Sequence, residues 1–234
     1  MKALLARLAA AWKKQVHTRI ASFVAFFGVV WLGLCILIVY LLAELSDEVL
    51  EKEAFALDRT ILLYIHQFAS PTLDAIVVGI TRIGDPKTVV PLTAIVLCFL
   101  WLKRYRTEAK IFALDAFGGV VLSYFLKLAF NKQRPQLWDS PIVETTFSYP
   151  SGHALGSMVL YGFLSYVFAT IYPRYAKVFY SVATVLIIFI GLSRLYLGVH
   201  WPTDIAAGYG IGFLWISVCI ALLRLQKDDE QKVG

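Results

Sequence analysis

Residues 178–197 read VFYSVATVLIIFIGLSRLYL, and Arg194 is the only charge among them. A run of about 20 apolar residues is the length that crosses a bilayer, whereas one of 10–14 suits a soluble core. Comparable runs lie at 20–42, 88–102, 111–130, 154–172 and 205–225, the second of them short and beginning near Asp85. None alternates with a period of two, which excludes a membrane β-barrel, and no internal repeat is visible. Composition agrees: 59% of residues are hydrophobic and 16% charged, with a mean hydropathy of +0.70. An ordinary soluble domain carries roughly 25% charged residues. A soluble enzyme and a disordered chain are both excluded. The expected fold is all-α, an integral membrane bundle of six transmembrane helices.

Positive charge orients the spans, because basic loops stay on the cytoplasmic side. Lys2, Arg7, Lys13, Lys14 and Arg19 precede the first run. Lys103, Arg104, Arg106 and Lys110 follow the second, Arg174 and Lys177 the fourth, and Arg224, Lys227 and Lys232 the last. With six spans all four groups share one side, so both termini are expected in the cytoplasm, across a plasma (inner) membrane. The acidic stretch Glu44, Asp47, Glu48, Glu51, Glu53 and Asp58 then lies outside. The first run is too long for a signal-peptide core of about 7–15 residues and reads as an uncleaved span. The expected division is a basic cytoplasmic segment at 1–19, a six-helix membrane domain at 20–225 and a cytoplasmic tail at 226–234. After the first span, Leu57, Ile61, Ile65 and Phe68 recur at helical spacing. They predict an amphipathic segment on the outer face, or a short helix packed on the bundle. The net charge of +6 and pI of 9.2 belong to these loops, and no nucleic-acid partner is expected. Cys35, Cys98 and Cys219 sit within apolar runs and read as small buried hydrophobes.

Ionisable residues at membrane depth are functional suspects. Lys127 ends the third run, His153 opens the fourth, Arg194 lies near the end of the fifth, and His200 and Asp204 open the sixth. His153 and Arg194 are roughly 40 positions apart, about twice a 20-residue span, so the chain enters and returns to the same level. Hydropathy alone thus gathers Lys127, Arg134, His153, Arg194, His200 and Asp204 at the outer ends of the helices. Guanidinium forks and a lysine match phosphate oxygens. Ser151 and Gly152 precede the fourth helix, where backbone N–H groups and the helix dipole favour an anion. If helical, His200 and Asp204 share a face, so the carboxylate can orient the imidazole, and Pro202 suits the first turn. An oriented histidine, a second histidine as proton donor and a cationic cradle describe phosphoryl transfer through a covalent intermediate.

Three stretches carry a family pattern. Lys127 with Arg134-Pro135 reads K-x6-R-P, Pro150-Ser151-Gly152-His153 reads P-S-G-H, and Ser193-Arg194 with His200 and Asp204 reads S-R-x5-H-x3-D. Together they resemble the three signature motifs of the type 2 phosphatidic acid phosphatase superfamily, and no motif position is missing. The resemblance implies a metal-independent phosphatase acting on lipid phosphates at the outer leaflet. It implies that His200 is the nucleophile, Asp204 its partner and His153 the acid on the leaving oxygen. Lys127, Arg134, Ser151, Gly152 and Arg194 would hold the phosphate. Candidate substrates are phosphatidic acid, phosphatidylglycerol phosphate and undecaprenyl diphosphate.

Other readings stand beside these. A transporter would use the same cationic pocket on an anionic lipid without hydrolysis, but it gives no reason for the His200–Asp204 pair. A vanadium haloperoxidase relative would share the anion-binding residues, and the six spans argue against it. No metal site and no cofactor are expected, since the histidines stand among cations and lack a carboxylate or thiolate cluster. Ser193 reads equally as a packing or a site residue. His17 and His66 read as surface residues, Lys132 as a solvated side chain near the site, and Asp115 as hydrogen-bonded within the bundle. Tyr149, Tyr196 and Trp201 read as an interfacial aromatic belt.

Overall fold

The computed structural model describes Gly28, residues 31–46 and residues 55–233. The basic segment at 1–19, the first half of the expected first span, His17 and the acidic positions 47–53 lie outside the described residues. Every regular element among those described is helical. We number the helices α1 (Trp31–Ser46), α2 (Phe55–His66), α3 (Pro71–Arg82), α4 (Pro86–Leu102), α5 (Arg106–Phe130), α6 (Gly152–Ile171), α7 (Ala176–Tyr196) and α8 (Pro202–Val233). Five segments among the described residues are long and apolar enough to cross a membrane: α3 with α4, then α5, α6, α7 and α8. Helix α1 is apolar but shorter. The protein is therefore an all-α membrane bundle.

Local sequence sets the helix ends near the site. Ser70 caps α3 by accepting from Leu73 N at 3.4 Å, and Pro71 occupies the first turn. The chain breaks at 83–85 and restarts at Pro86, where the missing N–H costs nothing. This break lengthens the expected second span, because α3 continues the apolar path N-terminal to residue 88. Asn131, with φ +46°, ends α5 in the left-handed conformation that asparagine tolerates better than most residues. Ser151 caps α6 by accepting from Ala154 N. A π-type turn at Met158–Gly162 interrupts α6.

Helix α2 departs from the stripe read in its sequence. Asp58 and Leu62 face inward, while Leu57 and Phe68 are exposed. Leu62 packs with Ala154, Leu195, Trp201 and Ile205, so the helix sits on the bundle through a face that contains a carboxylate.

Small residues bring α6 and α8 together. A Cβ at Gly208 would stand 2.8 Å from Ser151 O, and one at Gly212 would stand 2.8 Å from Met158 Cβ. Such approach is how membrane helices gain packing without a hydrophobic drive between them. Its result is that the starts of α6 and α8 meet: Ser151 N donates to Asp204 O at 3.0 Å. The main core lies below this junction, with Phe112, Leu155, Phe163, Ile190 and Leu223 at its centre.

Tyr149, Tyr196 and Trp201 are buried, not an interfacial belt, because each joins the packing around the site end. The Trp201 indole donates to Gln133 O at 3.0 Å. Asp115 is fully buried, with its carboxylate beside the Cys219 thiol and its backbone carbonyl accepting from Trp215 Nε1 at 2.9 Å. His66 is half-buried and stacks on Trp138 at 4.0 Å between ring centroids. Of the cysteines, Cys219 is buried, whereas Cys98 is exposed on the bundle surface.

Candidate active site

The ends of α5 and α7, the starts of α6 and α8, the break at 83–85 and the loop 131–151 converge on one cluster. His200 lies on the turn between α7 and α8, just before Pro202, not on the helix that the sequence suggested. Its link to Asp204 is made by a helix cap. Asp204, in the first turn of α8, reaches back to accept from Trp201 N at 2.9 Å, which is the backward half of a capping box. The same oxygen, Oδ2, lies 3.3 Å from His200 Nδ1 and accepts from Ser148 Oγ. His200 is 1% exposed and Asp204 fully buried.

The tautomer follows from the partners. Arg134 Nη1 stands 3.0 Å from His200 Nε2. A guanidinium only donates, so Nε2 accepts and the ring proton sits on Nδ1, facing Asp204. Burial, with the Arg134 charge adding to it, pushes the His200 pKa down to about 3 despite the Asp204 partner. Neutral imidazole with a lone pair on Nε2 is the form a nucleophile needs.

A second layer supports Asp204. Lys132 Nζ donates to Asp204 Oδ1 at 2.9 Å and to Thr203 Oγ1 at 2.8 Å, and lies 4.0 Å from Asp58 Oδ2. Thr203 donates to Asp58 twice, through its N–H at 3.2 Å and its hydroxyl at 2.6 Å. Lys132 is 6% exposed, which corrects its reading as a solvated side chain. A buried ammonium needs paired carboxylates, and Asp58 supplies the second from α2. Burial raises the Asp58 carboxyl, although hydrogen bonds from Thr203 and the Lys132 charge oppose the rise.

The remaining cations, Arg194, Arg134 and Lys127, are linked to one another through Glu144 and Thr146. Arg194 is fully buried; it donates to Thr81 Oγ1 at 2.8 Å and to Glu144, and its Nε has no partner. Arg134 donates to Thr146 O and Val199 O, each at 2.7 Å, and pairs with Glu144 at 3.5 Å. Lys127 donates to Thr146 Oγ1 at 3.0 Å and Phe147 O at 2.9 Å. Glu144 therefore sits between two guanidiniums, where an anion belongs. Burial would raise its carboxyl, but the two arginines override this and hold it below the usual carboxylate range. Ser151 spends its N–H on Asp204 and its hydroxyl on the cap, leaving the N–H groups of Gly152 and His153 at the start of α6, where intrahelical partners are lacking. His153 Nε2 lies 2.7 Å from Asp85 Oδ1.

The structure thus gathers all eight residues expected from the sequence: Lys127, Arg134, Ser151, Gly152, His153, Arg194, His200 and Asp204. Ser193 is not among them; its hydroxyl donates to Ile190 O at 2.6 Å within α7. Sequence reasoning missed Asp58, Asp85, Glu144 and Ser148 and misread Lys132. A carboxylate inside an apolar stretch was the available signal for Asp58. Nothing local marks Glu144 or Ser148, which lie in an irregular loop. Among the described residues no group of three or more His, Cys, Asp or Glu is arranged to hold a metal ion.

A membrane-embedded bundle with this anion cradle and histidine pair defines a class, the integral membrane phosphatases. The pattern of the PAP2 superfamily matches residues 108–228, and the chain belongs to that superfamily. It is 30% identical over 148 residues to phosphatidylglycerophosphatase B of Bacillus subtilis, covering 62% of this chain and 72% of the relative. It is 32% identical over 151 residues to undecaprenyl-diphosphatase of Sulfolobus acidocaldarius, covering 62% and 68%. Among solved structures, it resembles a transmembrane PAP2-type phosphatidylglycerolphosphate phosphatase from Bacillus subtilis with a TM-score of 0.74 at 25% identity, covering 86% of this chain and 97% of that one. The protein is an enzyme, a PAP2-type lipid phosphatase.

Proposed function

We propose that this enzyme hydrolyses a lipid phosphomonoester or diphosphate at the outer membrane leaflet through a phosphohistidine on His200. The observation that carries the reading is the hydrogen-bond pattern of His200, with Nδ1 held by Asp204 and Nε2 turned toward Arg134. A phosphate headgroup displaces Glu144 and takes up Arg134, Arg194, Lys127 and the free N–H groups at the start of α6. His200 Nε2 attacks phosphorus as the bond to the lipid oxygen breaks, and protonated His153 gives its proton to that oxygen. Water then attacks the phosphohistidine, neutral His153 takes its proton, the P–N bond breaks, and inorganic phosphate leaves. The three cations supply the charge neutralisation, so no metal is required. A pocket of about 710 Å³ beside Arg134 and Glu144, lined also by Trp138, Val143 and Val199, gives the headgroup room. The six-span topology, with both termini in the cytoplasm and the site outside, rests on the basic loops and remains part of this proposal. Phosphatidic acid, phosphatidylglycerol phosphate and undecaprenyl diphosphate each carry a terminal phosphate of the kind these cations would hold.

The test is phosphate release from those three lipids by purified protein with chelator present, beside His200→Ala. Rapid acid-free quenching with a radiolabelled substrate should trap an acid-labile, alkali-stable phosphoenzyme in wild type and none in His200→Ala. A phosphoenzyme that survives the substitution, or activity that returns only with added divalent metal, would overturn the proposal.

A further inference from the structure

His153 has a carboxylate of its own, and the chain is built to present it. Asp85 occupies the N-cap position of α4, with φ −70° and ψ 147°, yet its side chain caps nothing. An N-cap aspartate ordinarily accepts from a backbone N–H two or three residues ahead. Here the carboxylate is turned to His153, with Oδ1 at 2.7 Å from Nε2. The preceding residue makes this approach possible. A Cβ at Gly84 would stand 2.9 Å from His153 Cδ2 and 2.9 Å from Ile190 Cγ2, so any larger residue would push the ring away. Two further contacts hold the break in place. Tyr161, on α6 like His153, donates to Ile83 O at 2.9 Å, and Thr88 donates to Arg82 O at 2.7 Å.

We propose that Asp85 is the positioning residue of His153 and that the break between α3 and α4 exists at this point to seat that ring. The inference rests on the reading of His153 as the group that protonates the leaving oxygen. With Nε2–H donating to Asp85, the nitrogen left for the substrate is Nδ1. The carboxylate fixes this tautomer and stabilises the imidazolium from which Nδ1 delivers its proton to the departing oxygen. After that step the ring is neutral with a lone pair on Nδ1, ready to accept the proton of the attacking water. The site therefore contains two histidine–aspartate pairs of opposite sense. In one, Nδ1 faces the carboxylate and Nε2 the phosphorus; in the other, Nε2 faces the carboxylate and Nδ1 the leaving group. The second aspartate comes from outside all three motifs, from an element whose sequence reads only as a helix break.

The test compares a lipid monoester, whose alkoxide needs a proton to leave, with nitrophenyl phosphate, whose phenoxide needs it little. General acid help is worth about 10²–10⁴-fold. Full-length Asp85→Asn in detergent should lose roughly tenfold or more on the lipid and far less on the aryl ester. The double variant Asp85→Asn/His153→Ala should be no slower than His153→Ala alone, since the carboxylate acts only through that ring. A purely structural pair would instead lower both substrates alike. If His153→Ala discriminates between the substrates and Asp85→Asn does not, the positioning role is refuted and the acid reading stands. If His153→Ala itself shows no discrimination, the acid reading falls and the positioning role with it. Should Asp85→Asn fail to fold, Gly84→Ala serves as the second variant. It displaces the ring without removing a charge and should show the same selective loss; an unselective one overturns the proposal.

Discussion

Lys132→Met is the most demanding test of how the Asp204 carboxylate is held. The lysine is 6% exposed, with Nζ 2.9 Å from Asp204 Oδ1 and 4.0 Å from Asp58 Oδ2. Methionine fills most of the same volume, so packing loss is small and the change is mainly electrostatic. Removing one partner of a buried ion pair costs about 3–5 kcal/mol. Here two carboxylates lose the same cation, and both are at most 2% exposed. At about 2–4 °C per kcal/mol for a chain of this size, the unfolding midpoint should fall by roughly 6–20 °C. The assay is thermal unfolding in detergent followed by tryptophan fluorescence, with kcat measured in parallel. The Trp201 N–H, Ser148 and His200 contacts all lie on the other oxygen of Asp204, so His200 keeps its partner. Activity at a permissive temperature should therefore fall without vanishing, unlike His200→Ala. Adding Asp58→Asn removes one of the two orphaned charges and should recover part of the midpoint. A shift for Lys132→Met within the ±0.5 kcal/mol typical of surface substitutions would refute the argument that this cation binds the site together.

Sidedness is tested by cysteine labelling against the parent chain as background: Gln136→Cys, exposed in the loop over the site, should react with an impermeant thiol reagent on intact cells. Lys103→Cys, exposed at the other end of α4, should react only after permeabilisation, and the reverse result would put the site in the cytoplasm. Because burial holds His200 neutral down to about 3, below the ordinary histidine value, its lone pair persists as pH falls. An unshifted imidazole would be mostly protonated at pH 5 and would cut the rate about 30-fold. Single-turnover phosphorylation by nitrophenyl phosphate should show no such loss between pH 7 and pH 5. Gly191→Ala should lower the unfolding midpoint, since its Cβ would fall 1.9 Å from Tyr209 Oη, whose hydroxyl donates to Ile187 O at 2.5 Å. The expected cost is that of overpacking, about 1–3 kcal/mol, and an unchanged midpoint would show that Tyr209 moves aside freely.

Hydropathy alone determined that this chain is a bundle of membrane helices. Apolar runs long enough to span a bilayer have few other stable fates, and a span that enters and returns must bring His153 and Arg194 to one level. The cradle was legible for the same reason. Lys127, Arg134, Arg194, His200 and Asp204 are ionisable groups at or beside the ends of apolar runs, and the cost of charge there marks them without any structure. What supports them was not legible. Asp58 meets Lys132 from α2, Asp85 meets His153 from a helix break, and Glu144 meets the two arginines from an irregular loop; no periodicity links these pairs. The sequence also put His200 and Asp204 on one helical face, whereas α8 starts between them and a cap joins them. Burial of Lys132, and of the aromatic residues read as an interfacial belt, depends on how closely α6, α8 and the 131–151 loop pack. Glycine at positions 208 and 212 sets part of that distance, and only the assembled structure brings these pairs together across it.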